Sequence, residues 1–123
     1  MESKLIYLAS PYTHPDKNVE KFRYERAMDC QFWLMQKGYT VYAPIRATHE
    51  LAKRYFLPSN FEYWAQFDEI FLSKCDELFV LMMPGWAESK GVTSEISIAK
   101  RRNLPIRGVF STEIGYYIWE NLK

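Results

Sequence analysis

Ser89-Lys90-Gly91-Val92-Thr93-Ser94-Glu95 sets an alcohol, a glycine and a carboxylate close together in the chain. The run follows an apolar stretch, Leu78 to Met83, that reads as a buried strand. It opens a stretch, Val92 to Arg102, that reads as a helix. Backbone N–H groups at a strand-to-helix turn are unpaired and carry partial positive charge, so they suit an anion such as phosphate. Glu95, in the first helical turn, is placed to act on whatever that anion anchors. The same residues also have an ordinary structural use. Serine caps helices, and an acid in the first turn complements the helix dipole.

A second carboxylate, Asp68, falls inside a helix expected over Phe61 to Lys74. It sits on or beside an apolar stripe of Trp64, Phe67, Phe71 and Leu72. Tyr7-Leu8-Ala9-Ser10-Pro11 supplies a strand end and a tight loop. If these segments meet, two carboxylates converge on one pocket, which suits cleavage of a glycosidic bond. One carboxylate attacks or stabilises the sugar carbon as it becomes cationic, and the other handles a proton on the leaving group. Asp76, eight residues after Asp68, precedes the third strand, and its turn preference gives it a structural role. Arg26 lies four residues after Phe22 and four before Cys30, on an expected core-facing stripe of Val19, Phe22, Arg26, Cys30 and Leu34. A guanidinium there needs an acid or a bound anion, unless its stem carries it to the surface. Arg23 is a neighbouring candidate for that role.

The elements that must position these residues alternate. Strands are expected over Lys4 to Ala9, Thr40 to Ile45, Leu78 to Met83 and Pro105 to Phe110. Helices are expected over Val19 to Lys37, Phe61 to Lys74, Val92 to Arg102 and, closing the chain, Glu113 to Leu122. Asp16 or Asn18 caps the first helix and Gly38 closes it; Thr48 to Tyr55 reads as less regular, and Leu57-Pro58-Ser59-Asn60 as a loop. This alternation specifies one α/β domain, a flavodoxin- or Rossmann-like three-layer sandwich with a four- or five-stranded, mostly parallel sheet. Right-handed crossovers bring the loops after Ala9, Ile45 and Met83 to one edge of that sheet, where ligands bind in such folds.

Composition narrows the function classes. The chain has 123 residues, 48% apolar and 25% charged, with a formal net charge of +1, which argues against a polymeric nucleic acid or a membrane as partner. The tight basic run Lys100-Arg101-Arg102 reads as a solvated helix C-terminus. Two histidines, His14 and His49, exclude a multi-histidine metal site, and Cys30 and Cys75, both expected in helices, have neither metal nor disulfide-framework spacing. Reduced buried thiols and the lack of an apolar leader segment lead to the expectation of a cytoplasmic protein. Aromatic residues make up 17%, enough to line a pocket for a planar ligand or fill a subunit interface.

Tyr7-Leu8-Ala9-Ser10-Pro11, Asp68 eight positions before Asp76, and Ser89-x-Gly91-Val92-x-x-Glu95, in that order, resemble the nucleoside 2-deoxyribosyltransferase superfamily, which includes the 2′-deoxynucleoside 5′-monophosphate N-hydrolases. Pro84-Gly85-Trp86 and the Ser89-x-Gly91 turn resemble most closely a small bacterial and phage branch of it. The resemblance implies that Glu95 is the nucleophile attacking the anomeric carbon, that Asp68 assists the departing nucleobase, and that Tyr7 hydrogen-bonds and positions Glu95. It implies that Ser89 stands where transferases acting on free nucleosides carry an aspartate for the 5′-hydroxyl and where the monophosphate hydrolases carry a serine for phosphate. An aspartate would repel a phosphate dianion, whereas Ser89 with open N–H groups attracts one.

The chain departs from those hydrolases in its first loop, Ser10-Pro11-Tyr12-Thr13-His14, which lacks their glycines and their phosphate-gripping arginine. Phosphate contacts would then come from Ser10, Thr13 or His14, with Arg23 or Arg26, beside Ser89 and Gly91. Trp86 would stack on a base or cover the pocket from outside. The expected activity is hydrolysis of the base–sugar bond of a nucleoside or deoxynucleoside 5′-monophosphate, with no metal and no organic cofactor. Transfer of the sugar to a second base and non-catalytic nucleotide binding are the alternatives. The resemblance also implies a homodimer or larger assembly, to which Tyr116, Tyr117 and Trp119 would contribute unless they pack on their own sheet.

Overall fold

The computed structural model describes residues 4–58 and 60–120. The elements run β1 (Leu5–Ala9), α1 (Lys17–Gln36), β2 (Thr40–Tyr42), α2 (Pro44–Arg54), α3 (Phe61–Ser73), β3 (Glu77–Leu81), α4 (Lys90–Arg101), β4 (Ile106–Thr112) and β5 (Gly115–Trp119). The five strands form one sheet in the order β2-β1-β3-β4-β5. The first four are parallel and β5 is antiparallel to β4. The architecture is the expected Rossmann- or flavodoxin-like sandwich.

Strand alternation sorts the core into two layers. Ile6 and Leu8 of β1, with Phe79 and Leu81 of β3, pack against Cys30 and Leu34 of α1. Tyr7 and Ala9, with Leu78 and Val80, face the other way, onto Leu72 just inside the end of α3 and Val92, Ile98 and Ala99 of α4. Strand order reverses between β1 and β3, because β2 lies to one side of β1 and β3 to the other. The crevice outside the carboxyl ends of these two strands is therefore the topological switch point.

Several expectations need correcting. The closing helix over Glu113 to Leu122 is instead a hairpin strand, β5, with Asn121 and Leu122 outside the described residues. Gly115 at φ +135° follows the turn, and a Cβ there would come within 2.7 Å of Trp33 Nε1. Tyr116 and Ile118 then turn inward onto the α1 layer, a period-2 pattern that suits a strand. Tyr116 is tied to α1, donating to Asp29 at 2.6 Å and accepting from Arg26 at 3.2 Å.

The second strand ends at Tyr42, not Ile45, and the stretch read as irregular belongs to α2. Pro44 explains both, since its fixed φ suits the first helical position and it has no N–H for a ladder. Cys75 lies just past α3 rather than within it; both thiols are buried and unpaired, and burial pushes Cys30 up to about 12 and Cys75 up to about 11. Of the loop expected at Leu57–Asn60, Ser59 lies outside the described residues. No described helix is long and apolar enough to cross a membrane.

Candidate active site

A cavity of about 660 Å³ opens at the switch point. Three of its charged side chains fall on otherwise core-facing helical lines. On α4 the buried line is Val92, Glu95, Ile98 and Ala99. On α3 the inward spacing Phe61, Ala65, Asp68, Leu72 carries Asp68 to the same hollow. On α1 the buried residues are Glu20, Ala27, Cys30 and Leu34, and Arg23 falls on that line at helical spacing.

Glu95 is 8% exposed and its carboxylate accepts a hydrogen bond from the hydroxyl of Tyr7, which is fully buried in β1. Two other glutamates are equally buried. Glu20 holds Lys17 at 3.0 Å and the N–H of His14 at 3.0 Å, and Glu77 holds Lys4 at 3.1 Å and Arg107. Among the described residues, Glu95 alone of the three has no cationic partner. A buried acid with only a neutral phenol beside it keeps its proton. Burial pushes Glu95 up to about 8; the Tyr7 hydrogen bond pulls it down, and the Asp68 charge pushes it up further. Burial also pushes Asp68 up to about 6. The Tyr7 hydroxyl is raised well above its ordinary value, first by burial and then by the charge of Glu95, so it stays a donor. Two acids with displaced and different proton affinities in one cavity are the arrangement that acid–base and nucleophilic chemistry requires.

Ser10, Thr13, Ser89 and Gly91 also line this cavity. Ser89 is the N-cap of α4, and its Oγ accepts the N–H of Val92 at 3.2 Å, leaving the hydroxyl hydrogen to donate elsewhere. Lys90 and Gly91 hold the first two N–H groups of the helix, which have no intrahelical partner. Gly91 has an ordinary backbone conformation, and a Cβ there would meet nothing closer than 3.8 Å. Neither backbone strain nor a close neighbour requires glycine at that position.

Arg26 and Trp86 do not line the cavity. The buried line of α1 is rotated from the expected stripe, so Phe22 is exposed and Arg26 reaches Ser111 and Tyr116 on the far edge. Arg23 takes the position at the cavity instead. Its Nη1 donates to the carbonyl of Thr13 at 3.1 Å and, more weakly, to that of Tyr12 at 3.4 Å. Its Nη2 lies against Gly85, where a Cβ would collide with it. Arg23 thus holds the loop after β1 and lies against the loop after β3. Trp86 packs on the core layer containing Tyr7 and Val80.

Sequence reasoning missed the α2 wall. His49 stacks on Tyr24 with ring centroids 4.0 Å apart, and its Nδ1 is 2.7 Å from the Tyr12 hydroxyl. Burial pushes this imidazole below its ordinary value. No spacing in the sequence points to it, because the contact joins three elements. Among the described residues no cluster of three histidine, cysteine, aspartate or glutamate side chains could hold a metal ion.

The family model described as Domain of unknown function (DUF1937) matches residues 4–110, a span that includes every cavity residue named above. No curated protein matches the chain.

Proposed function

We propose that this chain, which belongs to the DUF1937 family, is an N-glycosidase that hydrolyses the base–sugar bond of a nucleoside or deoxynucleoside 5′-monophosphate. The observation that carries this reading is the unpaired buried Glu95, held by Tyr7 and sharing a cavity with Asp68. Tyr7 occupies Oε2 of Glu95, which leaves Oε1 for attack on the anomeric carbon. As that bond forms, the bond to the base breaks and its electron pair leaves with the base nitrogen. Asp68 supplies the proton that neutralises the departing base. Water then attacks the same carbon, releases Glu95 and returns a proton to Asp68.

Ser10, Ser89, Arg23 and the first N–H groups of α4 would hold the 5′-phosphate. A serine at position 89, in place of an acid, favours the phosphorylated substrate over the free nucleoside.

The test is a panel of ribo- and deoxyribonucleoside 5′-monophosphates incubated with wild type and Glu95→Gln, with released base followed by chromatography. Release by wild type alone is the expected outcome. A new nucleoside on adding a second base assigns sugar transfer instead. Saturable nucleotide binding by both proteins, with no release by either, assigns a binding protein.

A further inference from the structure

Two walls of the cavity carry no lysine or arginine. Of α2, Ile45, Thr48, His49 and Ala52 line it at helical spacing, while the cations of that helix, Arg46, Lys53 and Arg54, do not. From α3 come Phe61, Trp64 and Ala65, and the charged residues beside them, Glu62, Asp68 and Glu69, are all acids. The lysine and arginine that do line the cavity, Lys90 and Arg23, belong to α4 and α1. Strand order sets β2, from which α2 departs, on one side of β1, and β3, from which the Ser89 loop departs, on the other. A phosphate held by Ser89 and Arg23 therefore leaves the aromatic and aliphatic side chains of α2 and α3 to an uncharged planar base.

On the α2 wall one side chain is equipped to read that base. The His49 ring is held twice: it stacks on Tyr24 of α1 with centroids 4.0 Å apart and planes 19° apart, and its Nδ1 lies 2.7 Å from the Tyr12 hydroxyl. Burial, with the charge of Glu20, pushes that hydroxyl up to about 12, so it keeps its hydrogen. A phenol is a stronger acid than the N–H of a neutral imidazole, so Tyr12 donates and Nδ1 accepts. The ring hydrogen then resides on Nε2, which has no partner among the described residues. Building on the N-glycosidase reading, we propose that His49 selects the base, donating from Nε2 to a ring carbonyl such as hypoxanthine or uracil carries where adenine or cytosine carries an amino group. The amino group would set donor against donor and leave both without an acceptor.

Equilibrium titrations on Glu95→Gln, which spares the ligand, compare deoxynucleoside 5′-monophosphates in two matched pairs, hypoxanthine with adenine and uracil with cytosine. The base-free probe is 2-deoxyribose 5-phosphate. The carbonyl member of a pair is expected to bind about 10-fold tighter, the scale of one matched against one mismatched hydrogen bond. A preference in the first pair assigns a purine, and one in the second a pyrimidine. Adding His49→Phe, which keeps a ring on Tyr24 and removes the donor, should bring that ratio toward one. Tyr12→Phe, which frees the imidazole to exchange its hydrogen between nitrogens, should lower it. Neither change should alter affinity for 2-deoxyribose 5-phosphate. Ratios near one in both pairs, a preference for the amino member, or a ratio indifferent to His49→Phe overturns the selection by His49. Weaker binding of the sugar phosphate by His49→Phe also overturns it, by placing His49 at the phosphate. Nucleotide binding in any of these cases leaves the N-glycosidase reading standing, and no binding by any nucleotide overturns both.

Discussion

At pH 7 burial keeps a proton on Glu95, which titrates at about 8, while Asp68, at about 6, is mostly ionised. The proposed chemistry needs the opposite arrangement. The gap of about 2 between the two values puts that arrangement roughly 3 kcal/mol higher in the empty cavity. Positive charge growing on a sugar carbon beside Glu95 narrows the difference. Either way one proton is shared by two acids, so activity follows the one-proton state of the pair. A plot of kcat/KM against pH is expected to be bell-shaped, with limbs near 6 and 8; a flat profile through that range would remove the pair from the mechanism. Tyr7→Phe deletes the bond that pulls Glu95 down, so the alkaline limb should move up and kcat/KM at pH 7 should fall roughly 10- to 100-fold. Stability carries the same sign. Glu95 in the folded chain binds its proton more tightly than at its ordinary 4.5, so its contribution is whole below that pH and lost as pH rises through about 8. Glu95→Gln should therefore raise Tm over wild type, more at pH 8 than at pH 5, as thermal unfolding at the two pH values would read.

Arg23 acts at the scale of elements, because one side chain from α1 bonds to the loop after β1 and packs beside the loop after β3. Its guanidinium has room only because residue 85 is glycine, at φ +97°. Gly85→Ala should cost about 1 kcal/mol in backbone strain and displace Arg23, weakening monophosphate binding by roughly 10-fold, the scale of one charge-assisted contact. Titration of the folded variant measures it, and unchanged affinity would take Arg23 out of the phosphate site. Asp68 was legible in the sequence as an acid on or beside an apolar helical stripe, and Glu95 as an acid in the first turn of a helix that follows a buried strand. Helical spacing failed on α1, where Glu20 is buried through its ion pair with Lys17 and so resembles a surface residue. Reading Val19 and Phe22 as the core rotated the helix enough to choose Arg26 over Arg23. It failed again on α2, whose buried contribution is Pro44 alone, and His49 went unseen with it.

Over the whole molecule, the β4–β5 hairpin and the cavity lie at separate places on the sheet, and the family match stops at residue 110, before β5 begins. Gly115→Ala meets both a left-handed backbone and Trp33, and should lower stability by roughly 1–3 kcal/mol. Base release by the fraction that remains folded should be unaltered, and a matching fall in kcat/KM would tie the hairpin to the site. The parallel core was readable from the alternation of elements, whereas β5 depends on the inward docking of Tyr116 onto α1, a contact 87 positions away from Asp29 in the chain. One further consequence concerns β1. Its residues 6–9 are buried on both faces, so hydrophobicity by itself would accept the strand displaced by one position. Two polar ties reject that alternative: the Leu5 N–H donates to the Asp76 carboxylate at 2.7 Å while the Asp76 N–H donates to the Leu5 carbonyl at 2.8 Å, and the Tyr7 hydroxyl finds Glu95 only on the α4 side. A chain that folded one step out of phase would be compact but would turn the Tyr7 hydroxyl away from Glu95, so this one buried bond reports whether β1 has paired in register.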